Sequence, residues 1–435
     1  MKGEVAVFWF RRDLRLDDNT GLFKALSSEF PVLPIFIFDT EILRELPPDD
    51  ARISFIHQQL GKLRKVLQER HGSSLALYHG KPVEVFKDLL SDWTVKSVFT
   101  NRDYEPYARK RDREITSLLE KEGIPLHTFK DQVIFEKSEV VKENGDPYVV
   151  YTPYMKKWKE VLGKVGTPES VPSESHLEHL VPKKDLPYLS LEDMGFTQSG
   201  IPVPDYSLEA SLIRDYEKTR NLPARDGTSR LGPHLRFGTI SIRKALEHAR
   251  KPENETFWNE LIWREFFMQI LWHFPFTVEG AFKKKYDRIR WRNREEEFER
   301  WKQGRTGYAL VDAGMRQLNQ TGYMHNRVRM LVASFLCKHL LIDWRWGEAY
   351  FAEKLLDYEL ASNVGNWQWA AGSGVDAAPY FRIFNPMTQV DKFDRDREYI
   401  RKWVPEFGTE DYPEKMVDHR KARERCLQVY KEALN

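Results

Sequence analysis

The side chains best suited to chemistry crowd into Asp357–Pro386, DYELASNVGNWQWAAGSGVDAAPYFRIFNP. The stretch holds an amide (Asn363), two indoles two residues apart (Trp367, Trp369) and the run Tyr380, Phe381, Arg382. Such residues rarely gather for packing alone. Gly365, Gly372 and Gly374 would let the backbone approach a ligand closely. The competing reading is a glycine-rich connection between two core helices.

Three further motifs bear on the choice. In RDGTSRLGPHLRFGTIS (225–241), Gly227, Thr228, Ser229 and Arg230 precede a helix start at Leu231. Hydroxyls and backbone N–H groups there suit a phosphate, although Thr or Ser before a helix is also an ordinary N-cap. In FWNELIWREFF (257–267), Glu260, Trp263 and Arg264 share one helical face. A carboxylate beside an indole on a half-buried face is costly unless something satisfies it. The motif therefore reads as a pocket wall, with Trp263 stacked on a flat ligand, Glu260 on its edge and Arg264 toward a cofactor. The plainer alternative is a Glu260–Arg264 surface ion pair with Trp263 in the core. In TGYMHNRVRMLVASF (321–335), Asn326, Arg329 and Met330 share a face and Arg327 points elsewhere, so two arginines could serve an inner and an outer partner. His325 reads as a satisfied helix histidine.

The elements that must position these groups fall into two kinds. Up to about residue 135, apolar runs at 5–10, 31–38, 74–79, 95–100 and 125–129 alternate with helical patterns at 52–67 and 105–119. This predicts a doubly wound parallel sheet, Rossmann-like, with ligands at the carboxyl ends of its strands. No GxGxxG follows the first strand. Residues 163–210 lose periodicity and carry six prolines from Pro168 to Pro204, which predicts a surface connection. From 205 onward helical periods dominate. The expected division is an α/β domain (1–135), a linker (136–204) and an all-α domain (205–435).

Composition narrows the classes. At 435 residues the chain exceeds what one core usually serves. The net charge of +2 announces no nucleic-acid partner, so any such binding needs a local basic groove. Two cysteines give neither a disulfide framework nor a metal set and suit a reducing cytoplasm. No apolar stretch reaches the ~18 residues of a membrane span. Of 13 tryptophans only Trp9 and Trp93 precede residue 150, so aromatic chemistry belongs to the C-terminal part.

NWQWAAGSGVDAAPYFRIFNP resembles the signature of the DNA photolyase and cryptochrome family, most closely its bacterial-type (class I) cyclobutane pyrimidine dimer photolyases. FWFRRDLRLDDN (8–19) is similar to the family's opening, and the likeness runs through the whole chain. The resemblance implies an α/β antenna domain and a helical domain holding FAD in a bent form. A second antenna chromophore is possible in the first. Folate-binding members carry an Asn-Glu pair where Tyr107 and Ala108 stand, so its type is open. By the same resemblance Tyr216, Thr228, Ser229, Arg230, Leu231, Arg264, Asn326, Arg329, Asp357, Glu359 and Asn363 would contact FAD. Gly232 replaces a common Ser and Glu359 a usual Asp. Glu260, Trp263, Met330 and Trp369 would line a pocket for the lesion, and Arg327 and Arg382 would meet DNA phosphates. Trp367, Trp344 and Trp291 match the family's tryptophan chain, whereas Trp301, Trp346 and Trp403 read as packing. The (6-4) photolyases carry His at the positions of Asn326 and Met330. The implied function is light-driven repair of pyrimidine dimers in DNA, catalysed by Glu260, Asn363 and the three chain tryptophans in a cytoplasmic monomer. The alternative is a signalling cryptochrome without repair, against which Asn363, Glu260, Met330 and a short C-terminal tail count. A third reading is a light-independent FAD protein that binds nucleic acid.

Overall fold

A computed structural model describes residues 3–250 and 255–435. The chain divides into two compact units. One comprises Met1–Glu139, Lys159–Tyr206 and Arg230–His248; the other comprises Val140–Trp158, Ser207–Ser229 and Ala249–Asn435.

The first unit is built on five parallel strands: β1 (Glu4–Phe10), β2 (Val32–Asp39), β3 (Ala76–Gly80), β4 (Thr94–Asn101) and β5 (Leu126–Phe129). Their order is β3-β2-β1-β4-β5, so the winding reverses between β1 and β4. The apolar runs are continuous because both faces are covered. Ala6, Phe8 and Phe10 of β1 enter one core with Val32, Phe36 and Phe38 of β2. Val5, Val7 and Trp9 enter the other with Leu33, Ile35 and Ile37. This is the two-residue period of a strand written into two cores. Asn19, Asp39 and Asp50 cap the helices that follow them through their side chains.

The proline-rich segment is not the surface linker its composition predicts. Leu177, Leu180, Leu191, Met194 and Phe196 are buried in one sheet core, and Val181 and Leu186 in the other. Leu180 bridges β2 at Val32. Pro187 accepts from Leu77 N–H at 2.9 Å, and Arg64 donates to the Leu186 carbonyl at 2.8 Å. Burial here follows no period, because an irregular chain places each apolar side chain separately. The expected boundaries at 135 and 204 therefore give way to units assembled from separate segments.

The second unit is helical. Glu255–His273 packs against Leu360–Ala371, which also meets Asn326–Ser334 and Trp344–Lys354. Glu255–His273 is apolar around most of its circumference, burying Phe257, Leu261, Ile262, Phe266 and Phe267. Gly365 makes the close crossing possible: a Cβ there would stand 2.3 Å from the Phe267 ring. His325 caps Asn326–Ser334 by accepting from Arg327 N–H. Gly372, at φ 90°, ends Leu360–Ala371. Among the described residues no helix is long and apolar enough to cross a membrane.

Candidate functional site

In the helical unit a cavity of ≈ 600 Å³, open solvent included, lies among three segments. Asn326, Arg329 and Met330 enter it from one helix at i, i+3 and i+4. Asp357 and Glu359 enter from the turn before Leu360–Ala371, and Asn363, Trp367 and Trp369 from that helix. Residues far apart in the chain thus share one set of walls.

The charges on these walls are tied down. Arg329 grips Asp357 with both arms of its guanidinium, at 3.1 and 2.8 Å, and donates its Nε to the Met324 carbonyl at 2.7 Å. Burial opposes the charge of Arg329, but the Asp357 carboxylate outweighs it and the pKa rises. Arg264 reaches Glu359 at 3.7 Å from the neighbouring helix. Asn363 Nδ2 donates to Glu348, to its carboxylate at 2.8 Å and its carbonyl at 3.1 Å. Burial raises the Glu348 carboxyl, against the lowering effect of the bond from Asn363. Balanced cations, one oriented amide and two indoles suit a flat, hydrogen-bonding heteroaromatic ring better than a bare anion, which would need unbalanced positive charge. The isoalloxazine of FAD meets that description.

Glu260 and Trp263 lie outside the walls of this cavity. Glu260 pairs with Arg220 at 2.5 Å, not with Arg264 as the ion-pair alternative holds, because Arg264 is turned to Glu359. Burial raises the Glu260 carboxyl, and Arg220 opposes it. The Arg220 guanidinium lies 5.5 Å from the Tyr216 ring. The next residue, Asn221, accepts from Arg327 at 2.6 Å, whose guanidinium covers Phe393 at 4.5 Å. One face of the Trp263 ring is covered. Tyr151 already lies parallel to it at 3.5 Å, and Phe267 lies at 5.6 Å, tilted 26°.

The expected phosphate segment divides between the units. Thr228 bonds the Tyr323 hydroxyl at 3.2 Å, and the Ser229 carbonyl accepts from Ser207 N–H. Arg230 turns the chain with φ 56°, and from there Leu231–Phe237 joins the sheet unit. In that unit Tyr107 donates to Asp39, at the carboxyl end of β2, at 2.6 Å. Ala108 beside it is buried.

The three chain tryptophans differ in setting. Trp367 and Trp344 are each 2% exposed. Trp291 is half-buried and meets Tyr430 edge-on at 6.1 Å. Trp301, expected as packing, is fully buried and makes an edge contact with Trp367 at 6.2 Å. Arg382 is exposed, and its carbonyl accepts from buried Lys338 at 2.9 Å. Sequence reasoning missed Tyr151, Arg220, Asn221, Lys338 and Glu348. None stands at helical spacing from its partner except within the fold, so no local pattern marked them.

Comparison with known proteins completes the picture. The family described as "DNA photolyase" matches residues 6–173, and "FAD binding domain of DNA photolyase" matches residues 257–410. The deoxyribodipyrimidine photo-lyase of Halobacterium salinarum is 36% identical over 481 residues, covering 99% of each chain. A bacterial class III photolyase from Agrobacterium tumefaciens superposes with a TM-score of 0.84 at 35% identity, over 100% of this chain and 98% of that one. An archaeal photolyase from Sulfolobus tokodaii, described with two FAD molecules and an implied novel light-harvesting cofactor, gives 0.84 at 34% identity, over 99% and 100%. Identity at this level across nearly the full length of both chains, through sheet and helical unit alike, leaves one conclusion: the chain belongs to the DNA photolyase family.

Proposed function

We propose that this chain repairs cyclobutane pyrimidine dimers in DNA with light, as a deoxyribodipyrimidine photo-lyase. The observation that carries the reading is the cavity whose Arg329 is matched by Asp357, whose Glu359 is reached by Arg264, and whose amide, Asn363, is oriented by Glu348. Reduced FAD, when bound, supplies an electron donor that light excites, and the cofactor rather than the protein carries that chemistry.

The chain's residues bind and orient. Asn326, Arg329, Arg264, Asp357, Glu359 and Asn363 hold the ring system. Tyr216, Thr228, Ser229, Arg230 and Leu231 serve the rest of the cofactor. Asn363, held by Glu348, presents its amide to the ring edge. A flipped-out dimer is favoured because its pairing and stacking are already weak, the situation in which the handling of extruded bases by photolyases is generally understood. Trp263, Trp369 and Met330 supply its apolar walls. Glu260 hydrogen-bonds the pyrimidine edge and stabilises charge arriving there. Arg327 and Arg382 take phosphates, so affinity falls as salt rises. Trp291, Trp344 and Trp367 pass electrons inward by short hops between oxidisable indoles. A second chromophore is assigned to the sheet unit, its type left open by Tyr107 and Ala108. The working form is a cytoplasmic monomer, which sedimentation would check.

The deciding experiment follows a thymine-dimer oligonucleotide mixed with chemically reduced, FAD-loaded protein. Recovery of thymine absorbance in blue light but not in darkness is expected. No recovery in either condition would turn the assignment to a light-sensing cryptochrome.

A further inference from the structure

Tyr151 opens the helix Tyr151–Val165 and is only 7% exposed. Its position is set by three separate bonds or contacts. Its ring lies on the Trp263 indole with centroids 3.5 Å apart and planes 6° apart. Its hydroxyl donates to the Asn259 carbonyl, one turn before Trp263, at 2.8 Å. Its backbone N–H donates to the Asp376 carboxylate at 3.1 Å. Asp376 has φ 45° and lies in the loop between Leu360–Ala371 and Arg382. One residue therefore touches the indole of one helix, that helix's backbone and the loop leading to the exposed arginine.

This arrangement constrains Trp263. The torsion between an indole and its Cβ is broad and roughly two-fold, so the ring plane is set by its neighbours. A parallel ring in contact on one face removes that freedom and fixes which edge stays accessible. Trp263 is half-buried. A site that must hold a reacting group within a fraction of an ångström needs such support behind the residues that touch the substrate.

We propose that Tyr151 is a positioning residue of the dimer site: it sets the plane of Trp263 and ties that wall, through Asp376, to the loop carrying Arg382. The inference rests on the photolyase reading above.

The test uses FAD-loaded, reduced full-length protein labelled with 5-fluorotryptophan, the Trp263 resonance being assigned by its loss in Trp263→Phe. In Tyr151→Ala the Trp263 signal should shift and broaden. Binding of a thymine-dimer oligonucleotide should weaken by about ten- to a hundredfold, with FAD content unchanged. Tyr151→Phe, which keeps the ring, should restore both the signal and the affinity. Asp376→Ala, which removes the carboxylate that accepts from the Tyr151 backbone and attracts Lys283, should shift the signal in the same direction by less, and it serves if Tyr151→Ala does not fold. An unmoved Trp263 signal in the alanine variants overturns the proposal. So does a moved signal with parental dimer binding and repair yield, or a loss of FAD that parallels the loss of repair. If the parent protein itself neither binds nor repairs the dimer, the photolyase reading falls instead. The fluorine spectra, which need no DNA or light, still decide whether Tyr151 holds Trp263.

Discussion

At the scale of single residues, the site is made of charges that would be costly alone. Glu260 shows the consequence. Its folded pKa lies above the ordinary 4.5, chiefly through burial. Its charged form therefore costs stability at neutral pH, and that cost is relieved as pH falls through the folded value. Arg220 at 2.5 Å is what holds the cost down. Arg220→Ala should raise the Glu260 pKa further, so the variant's melting temperature should fall short of the parent's by more at pH 7.5 than at pH 5.5. An equal deficit at both pH values would remove Glu260 as the cause. Glu260→Ala should lower repair by reduced enzyme roughly a hundred- to a thousandfold, on the scale of one lost transition-state hydrogen bond, while FAD binding persists. Full activity would end its assigned role. The motif at 257–267 named Glu260 from its sequence neighbourhood. It did not name Arg220, because an ion pair between separate helices leaves no periodic trace.

At the scale of elements, the helix Trp344–Lys354 does two things at once. It carries Trp344 and, one turn on, presents Gly347 to the Trp367 ring. A Cβ at Gly347 would stand 2.1 Å from that ring and 2.6 Å from Leu336. Gly347→Ala should therefore cost about 1–3 kcal/mol by overpacking, measured by denaturant unfolding; a neutral substitution would mean that the two helices can separate without penalty. Trp344→Phe keeps the volume nearly filled and removes the oxidisable indole. It should slow photoreduction of oxidised FAD in a flash experiment while leaving repair by pre-reduced enzyme intact. Unchanged photoreduction would send the electron elsewhere, and Trp301, in contact with Trp367 at 6.2 Å, is the first alternative. Helix existence was legible here from the apolar period. The ring contacts were not, because period assigns a face and says nothing of which ring meets it.

At the scale of the whole chain, residues far apart in sequence close the sheet unit. Asp131 accepts from Arg15 at 2.6 Å and from Arg243 at 2.8 Å, all three buried. Burial works against the Asp131 carboxylate, yet the two guanidinium groups outweigh it and hold its pKa below 3.8. The stability this provides is present above that pH and is lost as pH falls through the lowered folded value. Asp131→Asn takes away the carboxylate paired with buried Arg15, while Arg243 keeps Asp18 at 2.8 Å, and should destabilise by about 3–5 kcal/mol at neutral pH, read by urea unfolding. A loss below about 1 kcal/mol would show the network to be dispensable. The sequence by itself determined the five strands, because a chain covered on both faces must be continuously apolar. It also determined the helical half and the family, because the residues around Asn363, Trp367 and Trp369 stand together in one run. It marked Arg329 by the helical face it shares with Asn326 and Met330, and Asp357 only by resemblance. Only the tertiary structure decided that the proline-rich segment is core, that 230–248 joins the sheet unit, that Glu260 answers to Arg220 and that Tyr151 covers Trp263. Each of these depends on contacts between segments with no shared period, and local chemistry cannot encode which distant surface will arrive.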